Sequence, residues 1–134
     1  MSEDDSLIDA LAGAAFATTS ALTRLGAEFD LSLTQVRVLA ILRDRTVRMT
    51  ELASYLGLEK SSLSGLIDRA VQRGLVERRR SEDDGRAFEV LLTDEGLRLA
   101  DVMTARSREL LLPLVENLGR ADRRKLRELL ESIV

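Results

Sequence analysis

The chain has 134 residues and a formal net charge of −3, and its residues are 45% hydrophobic but only 3% aromatic. This length suffices for one domain with an aliphatic core. Cysteine and histidine are absent, which excludes disulfides, thiolate metal sites and nucleophiles activated by histidine. The sequence also has no glycine-rich phosphate loop. We therefore expect a protein that is not an enzyme and that binds no cofactor.

The N-terminal segment predicts one long helix. Apolar residues recur at steps of three and four from Leu7 to Phe29, which is helical spacing, whereas the first five or six residues are polar and are expected to fray. No apolar run reaches the ~20 residues that span a bilayer, and the acidic start is unlike a signal peptide. We expect a cytoplasmic protein with no membrane partner, whose long helix contacts a second subunit.

A second helix is predicted to begin at a capping box. Ser32 supplies a side-chain oxygen at the helix start, and Gln35, three residues later, reaches back to it. The dense apolar run from Val36 to Leu42 predicts that this helix is buried.

Residues 50–73 predict a helix-turn-helix, with two short helices joined at Gly57. Apolar residues line one face of each helix at helical spacing, and Gly57 and Gly74 can adopt the left-handed conformation that ends a helix. The outer face of the second helix carries small, hydrogen-bonding and basic side chains, which suit a DNA major groove. The alternative is an ordinary helical hairpin with a solvated outer face.

Residues 75–92 predict a β-hairpin, because two extended segments flank the turn residues Asp84 and Gly85. Such a hairpin must pack on the helix pair to be stable, and its charged tip then projects as a wing. Four arginines belong to it: 78, 79, 80 and 86. Side chains alternate along a strand, so Arg78 and Arg80 point away from Arg79. The alternative is a hairpin that is merely solvated.

The C-terminal part predicts two more helices. Thr93 is a suitable N-cap for the first, Pro113 should kink or interrupt it, and Gly119 is a plausible break before the last helix. The last helix has leucines on one face and a basic cluster on the other, and we interpret that cluster as a solvated face rather than a DNA contact.

These elements predict a mainly α fold, a winged helix-turn-helix with N- and C-terminal dimerisation helices. We expect a single domain, 1–134, in which residues 7–30 and 95–134 form the dimerisation helices and residues 31–94 form the DNA-binding lobe. Residues 31–92 carry nine acidic and eleven basic side chains, whereas residues 1–30 carry six acidic and one basic. The positive excess therefore lies in the segment that contains the helix-turn-helix.

The sequence resembles the MarR family, the multiple-antibiotic-resistance type of transcriptional regulators. The wing carries the family pattern Asp84-Gly85-Arg86, five residues, then Leu92-Thr93. Further matching motifs are Gln35, Glu51-Leu52-Ala53, Gly74-Leu75-Val76 and Gly96. The resemblance implies a homodimer that binds a palindromic operator in double-stranded DNA, usually as a repressor, and that is released by a small-molecule effector in many members.

The resemblance also implies roles for individual residues. Arg86 is expected to enter the minor groove, and Asp84 to hold the wing by pairing with a nearby arginine, for which Arg78 is the natural candidate. At the start of the third helix, Arg48 replaces the usual cap, so Thr50 is expected to act instead. The expected DNA-binding residues are Lys60, Ser61, Ser62, Ser64, Arg69, Arg80 and Arg86.

A second hypothesis is a dimeric protein-interaction module of the same fold that does not bind DNA. The acidic N-terminus and the net charge of −3 motivate it. It requires the outer face of residues 60–72 to be acidic or apolar, whereas that face keeps Lys60, three serines and Arg69.

Overall fold

The computed structural model describes all 134 residues. The elements are α1 (Glu3–Glu28), α2 (Leu33–Leu42), β1 (Val47–Arg48), α3 (Met49–Leu56), α4 (Lys60–Gln72), β2 (Val76–Arg80), β3 (Phe88–Leu92), α5 (Asp94–Leu111), a 3-10 turn (Leu112–Val115) and α6 (Arg120–Glu131). The strands form one antiparallel sheet in the order β1-β3-β2. The predicted mainly α, winged helix-turn-helix fold is confirmed.

Local capping signals set the ends of the first two helices. The predicted box at Ser32 and Gln35 is present, with both reciprocal bonds formed. The expectation of a frayed N-terminus is wrong, because Ser2 and Asp5 form a second capping box and α1 begins at Glu3. The hydrogen bonds from Ser2 lower the pKa of the Asp5 carboxyl below its ordinary value.

The first half of α1 has no cover within the chain. Leu7, Ile8 and Phe16 are exposed, and only Ala21 and two residues near the end of the helix are buried. By length and composition alone, α1 is apolar enough to cross a membrane, so the expectation that no segment reaches that length is wrong for this helix.

The helix-turn-helix has one strand that the sequence did not predict. β1 lies just before α3 and pairs with β3, with Val47 opposite Val90. Helix α3 follows Arg48 directly, without a side-chain cap, and Thr50 is its second residue. The expected capping role of Thr50 is therefore wrong. Gly57 ends α3 with φ of +65°, as predicted.

The core lies in the lobe formed by α2, α3, α4 and the sheet, with the end of α1 packed on it. Its fully buried side chains are aliphatic, as the composition implies: Leu25, Leu52, Leu63, Ile67, Val76 and Val90. Burial of one such leucine contributes about 1.5–3 kcal/mol, so the outward face of α4 rests on a rigid base.

Hydrogen bonds link the residues that follow α4 to the start of α5. Gly74 adopts φ of +74° after α4, as predicted, and its carbonyl accepts a 2.6 Å hydrogen bond from Thr93 Oγ1. The Thr93 amide donates to the carbonyl oxygen of Leu75, and the same hydroxyl caps α5 by accepting from the Gly96 amide. Gly96 is buried so closely against Leu75 that a Cβ there would overlap this carbonyl oxygen.

An ion-pair cluster joins α1 to α5. Arg106 lies 2.7 Å from Glu28 at the end of α1 and 2.8 Å from Glu109 on its own helix. Hydrogen bonds from Arg106 lower the pKa of the Glu28 carboxyl. The same hydrogen bonds to Glu28, followed in size by the one to Glu109, raise the pKa of the Arg106 guanidinium.

The C-terminal helices follow the predicted breaks. Pro113 lies in the 3-10 turn that separates α5 from α6, and Gly119 precedes α6 without a side-chain cap. Helix α6 is almost entirely exposed, including Leu129 at 57%, and Ile133 just beyond its end is 63% exposed. This apolar face has no partner within the chain.

Candidate nucleic-acid interface

Helix α4 has one buried face and one free face. Leu63, Leu66, Ile67 and Ala70 are buried in the core, which turns Lys60, Ser61, Ser62 and Arg69 outward, where all four are exposed. Glu59 precedes the helix without a side-chain cap. The first backbone N–H groups of α4 therefore remain available to an acceptor such as a phosphate oxygen.

Asp84 shapes the wing tip, but it does not pair with Arg78. Its Oδ1 accepts a 3.1 Å hydrogen bond from the Arg86 amide, and its carbonyl accepts from the Ala87 amide. These bonds are local, two and three residues apart, and they fold the turn that presents Arg86. The Arg86 side chain itself is exposed and has no hydrogen-bond or ion-pair partner in the chain.

The predicted pairing of Arg78 with Asp84 is wrong, because Arg78 extends from β2 to α4 instead. Its Nη1 lies 2.6 Å from Asp68 Oδ1. Its Nη2 donates to the Ser64 carbonyl at 3.1 Å and to the Ser64 hydroxyl at 3.3 Å. Strand alternation turns this side chain toward α4, where a carboxylate and a carbonyl at the same place satisfy the guanidinium. Arg78 therefore fixes the wing to α4.

Arg80 is also engaged within the wing. Its Nη1 donates a 2.7 Å hydrogen bond to the Gly85 carbonyl, and its guanidinium lies 5.4 Å from the centre of the Phe88 ring. These contacts hold the side chain along the wing and leave its charge exposed to solvent.

A cleft of about 440 Å³ lies between the starts of α3 and α4 and the wing. Its floor is partly apolar, and its polar rim consists of Arg48, Thr50, Lys60, Ser64, Arg78 and Arg86. Four of these side chains are cationic and none is a carboxylate; Asp68 balances the charge of Arg78, whereas the other three, Arg48, Lys60 and Arg86, form no ion pair. The cleft therefore concentrates positive potential in a concave surface, which favours phosphate.

The structure brings together only part of the predicted set. Lys60, Ser64 and Arg86 line the cleft, whereas Ser61, Ser62 and Arg69 occupy the free face of α4 and Arg80 lies along the wing. Arg48 was missed, because its place beside the cleft depends on the two-residue strand β1. No three side chains of metal-ligand type lie close enough together to hold a metal ion.

Comparison with known proteins gives a consistent family match. Residues 29–87 match a family model described as the MarR family. The HTH-type transcriptional regulator YfiV of Bacillus subtilis is 33% identical over 73 residues, which are 54% of this chain and 46% of YfiV. This chain thus matches about half of the length of YfiV. The HTH-type transcriptional repressor IacR of Pseudomonas putida is 28% identical over 116 residues, 86% of this chain and 70% of IacR.

A solved structure extends the likeness to the whole chain. A mutant of MarR from Escherichia coli, complexed with operator DNA, superposes with a TM-score of 0.77 over 96% of this chain and 94% of that one. The identity is 24%, so this likeness concerns the fold.

Proposed function

We propose that this chain is a member of the MarR family of winged helix-turn-helix transcriptional regulators, and that it binds a palindromic operator as a homodimer and represses transcription in the cytoplasm. The cationic cleft between α4 and the wing carries the proposal. The naming of IacR as a repressor and the operator complex of the Escherichia coli protein support it by likeness.

The geometry supports different roles for α4 and for the wing in DNA binding. Helix α4 enters the major groove, where Ser61, Ser62 and Arg69 face base edges and phosphates, and its uncapped N-terminus with Lys60 meets the backbone. The wing places Arg86 in the adjacent minor groove, where a narrow groove attracts a guanidinium. Arg80 adds charge beside the phosphates, and Ser64 together with Arg78 holds the wing at a fixed distance from α4.

The homodimer is proposed from the uncovered apolar faces of the terminal helices. An apolar groove of about 620 Å³ lies between α1, the end of α5 and α6, and the apolar face of α6 is exposed. Contiguous apolar surface of this kind normally marks an interface, and a two-fold axis is the commonest way to close it. The assignment of 7–30 and 95–134 to dimerisation and of 31–94 to DNA binding is part of this proposal.

The proposal includes release of the protein from DNA by a small-molecule effector. A pocket of only about 90 Å³ lies between α1, α2 and α5, where the terminal helices meet the DNA-binding lobe. It is lined by Leu22, Val36, Met103 and Thr104, among others. Drug-sized ligands occupy roughly 300–1,000 Å³. An effector that binds there must therefore open the pocket, and this movement would be its means of acting on α4.

The proposal is tested by fluorescence anisotropy with DNA from upstream of the gene, over a series of salt concentrations. A tight complex on one fragment, with log K falling by about 0.9 for each phosphate neutralised, is expected. The variant Arg86→Ala should weaken that complex by about 1–3 kcal/mol with the dimer intact. Arg79→Ala is the matched control, because it also removes one arginine from the wing, but Arg79 points away from the cleft that Arg86 and Arg78 line.

Two results would contradict parts of this proposal. Unchanged operator affinity in Arg86→Ala would remove that residue from the interface. Weak and equal binding to every fragment, by a protein that is dimeric, would favour the interaction-module hypothesis.

A further inference from the structure

Arg73, the residue that ends α4, donates two hydrogen bonds to the end of α1. Its Nη1 donates to the carbonyl oxygen of Asp30 at 2.9 Å, and its Nη2 donates to that of Phe29 at 3.1 Å. These acceptors lie 43 and 44 residues earlier in the chain. A planar guanidinium that binds two acceptors fixes their orientation as well as their distance. Arg73 therefore joins two helices that are distant in sequence.

Both helix ends that this arginine joins are firmly closed. After α1, Asp30 adopts the left-handed conformation with φ of +59°, and the Leu31 amide donates to the Gly26 carbonyl at 2.8 Å. A Cβ at Gly26 would lie only 2.5 Å from the Leu31 carbonyl oxygen, so this turn packs tightly on its helix. After α4, the Leu75 amide donates to the Ala70 carbonyl at 3.0 Å. Neither attachment point can move without its helix.

The contact is the direct polar link between α1 and α4. Helix α1 packs on α2 and α5, whereas α4 packs on α3 and β2. No other side-chain hydrogen bond or ion pair joins α1, or the turn after it, to α4. Helix α1 belongs to the proposed dimerisation helices, and α4 is the helix proposed to enter the major groove. Arg73 thus connects the dimer interface to the DNA-reading helix.

We propose that Arg73 is a positioning residue that fixes the angle between α1 and α4 and thereby sets the distance between the two α4 helices of the dimer. The inference rests on the homodimer and the DNA binding proposed above. Helix-turn-helix dimers bind half-sites about one turn of DNA apart, roughly 34–36 Å. A fixed distance between the α4 helices makes the dimer reject operators whose half-sites are spaced differently. Loss of the link lowers that penalty, because each α4 can then move relative to the interface.

An ordinary explanation is that a cation near the last carbonyl groups of a helix stabilises that helix. Arg37 provides the matched control, because its Nη2 donates a 2.9 Å hydrogen bond to the Tyr55 carbonyl near the end of α3. Arg37 and Arg73 are both exposed. Arg37, however, joins α2 to α3, which both belong to the DNA-binding lobe. Arg37→Ala should lower stability as Arg73→Ala does, and it should leave the distance between the two lobes unchanged.

Distances between the two α4 helices can be measured without DNA. The chain has no cysteine, so Ser62→Cys accepts one spin label per chain on the free face of α4. Ser62 lies about 16 Å along α4 from Arg73, so a tilt of about 10° moves it by about 3 Å. In double electron–electron resonance, Arg73→Ala should broaden the distance distribution of the labelled dimer by roughly 3 Å or more. Arg37→Ala should leave its width unchanged.

Operator spacing gives the functional measurement, made with unlabelled protein. The probes are the duplex that the wild-type chain selects from the DNA upstream of its gene and the same duplex with one base pair inserted between the half-sites. The ratio of the two affinities cancels a uniform loss caused by poorer folding. We expect this ratio to fall by roughly fivefold in Arg73→Ala and to stay at the wild-type value in Arg37→Ala. Arg73→Lys keeps the charge without the two-point hold, so its ratio should be intermediate.

Three results would overturn the inference: an unchanged distance distribution in Arg73→Ala, an equal broadening in Arg37→Ala, or a broadened distribution with an unchanged spacing ratio. A monomeric wild-type chain would refute the proposed homodimer and this inference with it. A dimer that broadens as expected but selects no operator would support the positioning role of Arg73 and refute the proposed DNA binding.

Discussion

The contact that fixes the wing to α4 yields a quantitative prediction. Arg78→Ala removes the 2.6 Å ion pair with Asp68 and two hydrogen bonds to Ser64. Asp68 is 54% exposed, so solvent screens the pair and its contribution is about 0.2–1 kcal/mol. The hydrogen bonds add about 0.5–1.5 kcal/mol each. We expect the variant to lose roughly 2 kcal/mol of unfolding free energy, out of a typical total of 5–15 kcal/mol.

A double-mutant cycle isolates the pair. Arg78→Ala and Asp68→Ala, singly and together, are unfolded in urea at one fixed protein concentration, because a dimer's stability depends on concentration. The coupling free energy should be about 0.5 kcal/mol or more. The parallel cycle of Arg78→Ala with Asp84→Ala should give a value near zero, since those side chains make no contact. A larger coupling to Asp84 than to Asp68 would refute the account of the wing given above.

Two other predictions concern contacts between elements of the fold. Gly96→Ala should destabilise the chain by about 1–3 kcal/mol in urea unfolding, because the new methyl group overlaps the Leu75 carbonyl. Gly85→Ala, where a Cβ meets nothing within 4 Å and φ is not positive, lies outside the proposed dimerisation helices; it is the control and should be neutral or slightly stabilising. Equal losses would contradict the packing argument. The lowered pKa of Glu28 means that its pairing with Arg106 contributes stability above the ordinary carboxyl pKa of 4.5 and loses it as pH falls through the lowered value. Stability of Glu28→Gln, measured by urea midpoints from neutral pH to about pH 3, should therefore fall less steeply in acid, and an unchanged slope would contradict the assignment.

Sequence reasoning succeeded where the signal was local. The capping box at Ser32, the left-handed glycines 57 and 74 and the Thr93 cap each depend on residues within four positions of one another. The hairpin likewise depends on its own turn residues. Such features are stabilised by nearby backbone groups, so they can be inferred without knowledge of the fold.

Sequence reasoning failed where a distant partner decides the outcome. β1 has two residues and exists because β3 offers it a free edge, and no periodicity can indicate so short a strand. The resemblance pairs Arg78 with Asp84 of the same hairpin, yet helix packing brings Asp68 of α4 closer. Apolar spacing alone predicts a frayed start, whereas Ser2 and Asp5 are a capping pair.

The hydrogen bonds and close packing at Gly74, Thr93 and Gly96 determine how a movement of α5 reaches α4. This contact couples the end of α4 to one end of α5, a helix of 18 residues that is about 27 Å long at 1.5 Å per residue. If its far end is held in a dimer interface, a tilt of about 5° carries the near end through about 2 Å. One base-pair step is about 3.4 Å. A rotation too small to disturb side-chain packing at the interface therefore shifts α4 by more than half a base pair along its groove.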